Sequence, residues 1–144
     1  MIRFKKPGPT ENKGSSSFSF LGFTHYWGLS RKGSWVVKRK TEKSRFSRAL
    51  KAVAEWCKHN RHLPLEEQQR AISRKLWGHY GYYGITGNTS SLRDFLYQVQ
   101  RVWCKWLNRR SRGNHVPWEK FNLILLRYPL PPVRVVHSLY AAKL

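Results

Sequence analysis

The chain carries seven carboxylates in 144 residues, and Asp94 is its only aspartate. Two-metal phosphoryl or nucleotidyl transfer needs at least two convergent carboxylates holding divalent ions about 4 Å apart. The only adjacent acids, Glu66 and Glu67, fall at the start of a helical pattern. Asp94 stands three residues after Ser91, as in a capping box, so it is assigned to a helix cap rather than to metal. A self-sufficient polymerase or nuclease is therefore not expected. No Gly-x-Ser-x-Gly elbow supports a serine hydrolase. The glycines between Gly78 and Gly87 are not followed by Gly-Lys-Ser/Thr, so a phosphate-cradling loop is not supported either. His59-Asn60-Arg61-His62 has the letters of a nuclease His-Asn-His core but runs along one helix end. Cys57, His59 and His62 crowd together as zinc ligands could, yet they lack a second ligand pair. Cys57 and Cys104 have no Cys-x-x-Cys spacing and read as small apolar residues. No cofactor is expected.

Binding chemistry is far better represented. Twenty-eight Lys and Arg give a formal charge of +21. Such an excess points to a large polyanion, with nucleic acid ahead of an anionic membrane surface. The stretch Leu76–Asn88 packs one tryptophan, three tyrosines, one histidine and four glycines into thirteen positions. Flat rings among cations can stack on exposed bases while phosphates are neutralised, each stack being worth roughly 1–3 kcal/mol. Trp77 and Tyr82 fall off the apolar stripe of their helix and are the strongest ring candidates. His79, Tyr80 and Tyr83 are open to either a core or a binding role, and Asn88 closes the stretch. The cationic candidates are Arg45, Arg48 and Lys51 on the first helix, Lys75 beside the rings, and Arg101, Lys105 and Arg109 spaced four apart on a later helix. Arg110 and Arg112 extend that basic end. Trp103, Trp106, Phe95 and Phe121 lie on apolar stripes and are assigned to the core.

These residues require elements to hold them. Residues 1–17 are rich in Lys, Gly, Pro and Ser and read as a flexible lead. Phe18–Trp27 and Ser34–Arg39, separated by a turn with Gly28 and Gly33, read as a two-stranded β-hairpin spanning 18–40. An isolated hairpin is marginal in water and needs a surface to lie on. From Thr41 the period becomes helical: Phe46, Leu50, Val53 and Cys57 mark helix one, ending near Asn60. Pro64 suits the first turn of helix two, and Gly84 or Gly87 stops it. Helix three opens near Asn88 to Ser91 and carries a broad stripe from Leu92 to Leu107. Helix four starts at Pro117, presents Phe121, Ile124, Leu125 and Tyr128, and ends before Pro129, Pro131 and Pro132. The expected fold is mainly α: an N-terminal β-hairpin, then a three- to four-helix bundle over 41–132, with 133–144 as a tail. No apolar run is long enough to cross a membrane, and the N-terminus leads into Pro-Gly-Pro rather than a signal-peptide apolar region, so a soluble intracellular protein is expected.

Four segments, Phe18–His25, Arg31–Thr41, Gly78–Asn88 and Tyr128–Pro132, in this order and at this spacing, closely resemble the C-terminal part of bacterial group II intron-encoded reverse transcriptase/maturases. The resemblance runs from about Phe18 to His137. It implies that the hairpin around Phe20-Leu21-Gly22-Phe23 is the last piece of a polymerase palm, and that the helices form the thumb, or maturase-specific X domain. It further implies a bacterial cytoplasmic location, with intron RNA or a template–primer duplex as partner, and with the 78–88 junction and basic helices one and three facing RNA. Mg²⁺ would belong only to the full-length polymerase, because the fingers, most of the palm and the aspartate pair have no counterpart here. Met1 would then lie well inside the full enzyme, as in a gene remnant, the C-terminal half of a split gene, or a misplaced start. Relatives often carry Ser or Thr near Pro117, which leaves the helix-four cap in question.

The leading expectation is thus an RNA-binding maturase/thumb fragment that assists splicing and mobility without a catalytic site. One alternative is the C-terminal half of an RNA-directed DNA polymerase, completed in trans by a separate chain carrying fingers and palm. Another is a stand-alone basic DNA-binding protein using helix three, although no compact helix-turn-helix pattern occurs.

Overall fold

The computed structural model describes residues 6, 17–110 and 115–137. Three strands, β1 (Ser17–Phe20), β2 (Phe23–Leu29) and β3 (Trp35–Thr41), form an antiparallel sheet in the order β1-β2-β3. Four helices follow: α1 (Lys43–Asn60), α2 (Leu65–Tyr83), α3 (Thr89–Leu107) and α4 (Trp118–Arg127). The fold is mainly α with an N-terminal sheet, as the sequence pattern predicts.

The segment expected to be one strand, Phe18–Trp27, is two. Phe20 pairs with Phe23, leaving Leu21 and Gly22 as a two-residue turn with φ of 53° and 84°. Positive φ at both positions matches the right-handed twist of a tight hairpin. Glycine adopts it freely, whereas Leu21 is strained. Two bonds compensate: the Tyr82 hydroxyl donates to the Leu21 carbonyl at 2.8 Å, and the Glu42 amide donates to the Gly22 carbonyl at 2.9 Å. The sheet is thereby fastened at its turn to the C-terminal end of α2 and the start of α1.

Helix boundaries follow backbone chemistry. Pro64 and Pro117 occupy the caps of α2 and α4, where no amide is needed. Gly84 ends α2 with its amide on the Tyr80 carbonyl at 2.8 Å. The capping box expected from Ser91 and Asp94 does not form. α3 begins at Thr89 with Asn88 as its cap residue and no side-chain cap bond. Asn88 is instead drawn inward to Thr41, a more favourable use of a buried amide than capping an exposed helix end.

The core is a single cluster built chiefly from Val53 and Cys57 of α1, Ile72, Leu76 and Tyr80 of α2, six residues of α3 and Phe121 of α4. The α3 members are Leu92, Phe95, Val99, Trp103, Cys104 and Leu107. The central Trp103 is fully buried; its indole N–H donates to Gln68 Oε1 at 3.0 Å, and its ring meets Phe121 edge-on at 5.6 Å. Gln68 in turn donates to the carbonyls of Leu63 and Arg61, so this buried amide closes the α1–α2 loop.

After α4 the chain runs extended along α2. Pro131 accepts from the Tyr80 hydroxyl at 2.9 Å, both Val136 and His137 donate to the Gly84 carbonyl at 2.8 Å, and Thr86 donates to the His137 carbonyl. The first part of the expected tail is therefore a strap over the end of α2 and forms an isolated parallel bridge between Ile85 and His137.

Candidate nucleic-acid interface

Rings concentrate at the α2–α3 junction, but most of them are used internally. Phe23 of the sheet meets Tyr83 at 5.4 Å, Tyr83 meets His79 at 4.6 Å, His79 stacks on Phe95 at 3.7 Å and 7°, and Phe95 meets Phe46 edge-on at 5.4 Å. This ladder runs from the sheet into the bundle. It is assembled by cross-chain packing, with an expected gain of about 0.5–1.5 kcal/mol per pair beyond burial.

Three of the ring-stretch candidates are consequently corrected. Tyr80 is fully buried with its hydroxyl on Pro131, and burial pushes its pKa up to about 12. His79 is buried between Tyr83 and Phe95, and burial lowers its pKa to about 4. Asn88 is buried and bonded to Thr41 and Tyr83. None of the three stands on the surface: Tyr80 and Asn88 spend their polar ends on internal partners, and His79 Nε2 is buried without a hydrogen-bond partner. Tyr83 is half-buried, and burial is the largest cause of its raised pKa. Trp77 and Tyr82 remain exposed, at 45% and 53%. Tyr82 spends its hydroxyl on Leu21 and stacks on Phe23, while Trp77 has the Arg134 guanidinium 5.9 Å from its ring.

The cations fare differently. Arg45, Arg48, Lys51, Lys75, Arg101, Lys105, Arg109 and Arg110 are all exposed, and Arg112 lies outside the described residues. Arg101 and Lys105 lie four residues apart on the outer face of α3, and Arg109 follows just past its C-cap, Asn108. Gln98, Arg101, Val102 and Lys105 line an open groove along that face. Arg101 also sits 5.8 Å from the Tyr97 ring. Lys75 approaches Trp56 at 5.9 Å on the α1 side rather than joining α3.

The sequence pattern missed one gathering. Trp106, assigned to the core, is only half-buried, and its ring collects Lys58 at 6.0 Å, Arg61 at 5.9 Å, Lys105 at 5.2 Å and Arg109 at 5.2 Å. Lys58 and Arg61 come from the end of α1, nearly fifty residues away in the chain, so no spacing rule along α3 could have named them.

Cys57 is fully buried and its thiol is pushed up to about 12 by burial, while exposed His59 faces Glu55 at 3.5 Å. Among the described residues no three of His, Cys, Asp and Glu stand close enough to hold a metal ion, and no helix is long and apolar enough to cross a membrane. The chain matches no protein-family model, and neither a curated protein nor a solved structure matches it.

Proposed function

We propose that this chain binds structured RNA through the cationic outer face of α3, in the manner of a maturase-like thumb fragment, and leaves bond-making to other chains. The observation that carries the reading is the exposed Arg101–Lys105–Arg109 row beside an open groove. Among the described residues none of the three has a carboxylate within 4.0 Å, so their charge is available to phosphates. The net charge of +21 supplies the long-range attraction. Intron RNA or a template–primer duplex as the particular partner rests on the motif resemblance alone.

The test is RNA binding measured across a salt series. Each phosphate neutralised contributes roughly −0.7 to −0.9 to the slope of log affinity against log salt. A slope near zero would overturn the reading. Replacing Arg101, Lys105 and Arg109 together by Ala weakens all structured RNAs alike and flattens the slope by about 2–3.

A second reading, a polymerase completed in trans, is favoured by the sheet. All four residues of β1 are exposed, Phe20 is 59% exposed, and among the described residues no strand pairs with the outer edge of β1. A chain supplying fingers, palm and carboxylates would cover that edge. Co-purification with such a chain, followed by Mg²⁺-dependent primer extension, separates the two readings.

A further inference from the structure

Four cations gather on one indole without a matching anion. Lys58 and Arg61 from the end of α1, and Lys105 and Arg109 from the end of α3, each place their charge within 6.0 Å of the Trp106 ring centroid. All four therefore share a region comparable with one screening length, about 8–10 Å at ordinary salt. No carboxylate lies within 4.0 Å of any of them among the described residues, where the ion pairs are His59–Glu55 and Arg70–Glu66.

Internal forces do not account for the gathering. Cation–π attraction at an exposed ring is worth about 0.5–1 kcal/mol per contact. Six like-charge pairs at about 8 Å oppose this with roughly 0.5 kcal/mol each in water, so the two roughly cancel. The C-termini of α1 and α3 lie beside the patch, and Arg61 Nη1 donates to the Lys58 carbonyl at 2.9 Å. Two such termini supply only about one negative charge in total, leaving an excess of about three.

We infer that the Trp106 patch is a polyphosphate subsite, where the ends of α1 and α3 together clamp two or more neighbouring phosphates against one half-buried indole. The site rests on the RNA-binding reading for the source of those phosphates, a strand backbone, but its geometry is independent of that source. It deepens that reading in one respect. The phosphates are gripped from two helices, so binding ties α1 to α3 instead of merely decorating α3.

The experiment uses the full chain with inorganic tripolyphosphate and, separately, a structured RNA, at about 50 mM salt. Three paired variants remove two charges each: Lys58→Gln with Arg61→Gln, Lys105→Gln with Arg109→Gln, and, as a distant control on the sheet, Lys38→Gln with Lys40→Gln. Either Trp106-facing pair weakens tripolyphosphate binding about tenfold or more and lowers the RNA salt slope by about 1.5, while the sheet pair changes tripolyphosphate binding less than about twofold. Lys105 and Arg109 are both exposed, so their pair keeps the test decisive if loss of the Arg61 bond unsettles the α1 end. Equal weakening by all three pairs overturns the site in favour of a diffuse field, as does no weakening by either facing pair. Should the wild-type chain ignore RNA yet lose tripolyphosphate only in the facing pairs, the subsite stands and the RNA reading falls. Should RNA and tripolyphosphate binding both weaken with Lys105→Gln and Arg109→Gln yet stay untouched by Lys58→Gln with Arg61→Gln, the two-helix subsite falls and the RNA reading stands.

Discussion

Asn88 and Thr41 are bonded to each other twice across 47 residues: the Thr41 amide donates to Asn88 Oδ1 at 3.0 Å, and Asn88 Nδ2 donates to Thr41 Oγ1 at 2.9 Å. A third bond carries Asn88 Nδ2 to the Tyr83 carbonyl at 2.9 Å. One buried amide thus fixes the end of the sheet, the end of α2 and the start of α3 at a single point. Asn88→Ala leaves the buried Thr41 amide and the Tyr83 carbonyl short of partners and costs about 2–4 kcal/mol. Asn88→Asp costs as much, because it buries a charge and a carboxylate has no proton for the Tyr83 carbonyl. Urea unfolding checks both; a loss under about 0.5 kcal/mol in either variant contradicts this account.

Two glycines six residues apart respond oppositely to a methyl group. At Gly84 an added Cβ runs into the Tyr80 carbonyl and lies 2.7 Å from the Arg134 carbonyl, both backbone atoms, so Gly84→Ala displaces the strap and destabilises by about 1–3 kcal/mol. At Gly78 a Cβ meets nothing within 4 Å, and the position is an exposed helix interior, so Gly78→Ala stabilises by about 1 kcal/mol. Thermal melts of the two variants should move in opposite directions.

Tyr80→Phe removes the 2.9 Å bond to Pro131 without emptying the core. It costs about 1 kcal/mol globally, and the Pro131 carbonyl loses its partner. Because that bond is one of the few attachments of the strap, the local effect exceeds the global one. Limited proteolysis then cuts near Pro131–His137 sooner in the variant, while cleavage within α3 is unchanged.

Burial makes His79 a pH-dependent element. Its folded pKa is about 4, against about 6.5 when unfolded, so between these values the unfolded chain binds more protons. Stability is complete above pH 6.5 and is lost as pH falls toward 4, at up to about 1.4 kcal/mol per pH unit. His25, lowered by burial and by Arg39, contributes in the same direction. His79→Phe keeps a ring against Phe95 and removes its share of the slope. Urea midpoints at pH 8 and pH 5 should lie closer together in that variant than in the wild type.

The helices were legible because each carries its own period and its own punctuation. Phe46 to Cys57 repeats every three or four residues, and Pro64, Gly84 and Pro117 sit where a missing amide or a missing Cβ is required. The Leu21 turn was hidden because leucine rarely takes positive φ, and only the Tyr82 and Glu42 bonds hold it there. Tyr80 fell four residues beyond Leu76 on the apolar stripe of α2, but His79 gave no sign of burial, since a ring beside glycines looks the same whether a neighbouring helix or a ligand will cover it. The α3 row was visible in its four-residue spacing. The Trp106 gathering was not, because half of its cations belong to another helix.

By itself, the sequence determined the helix boundaries, the α3 core stripe and an unbalanced positive charge, since these depend on periods, caps and totals within short windows. Tertiary structure decided which rings and cations reach the surface together. Burial and convergence are properties of segments far apart in the chain: the β1–β2 turn and the strap meeting on α2, and the ends of α1 and α3 meeting on one indole.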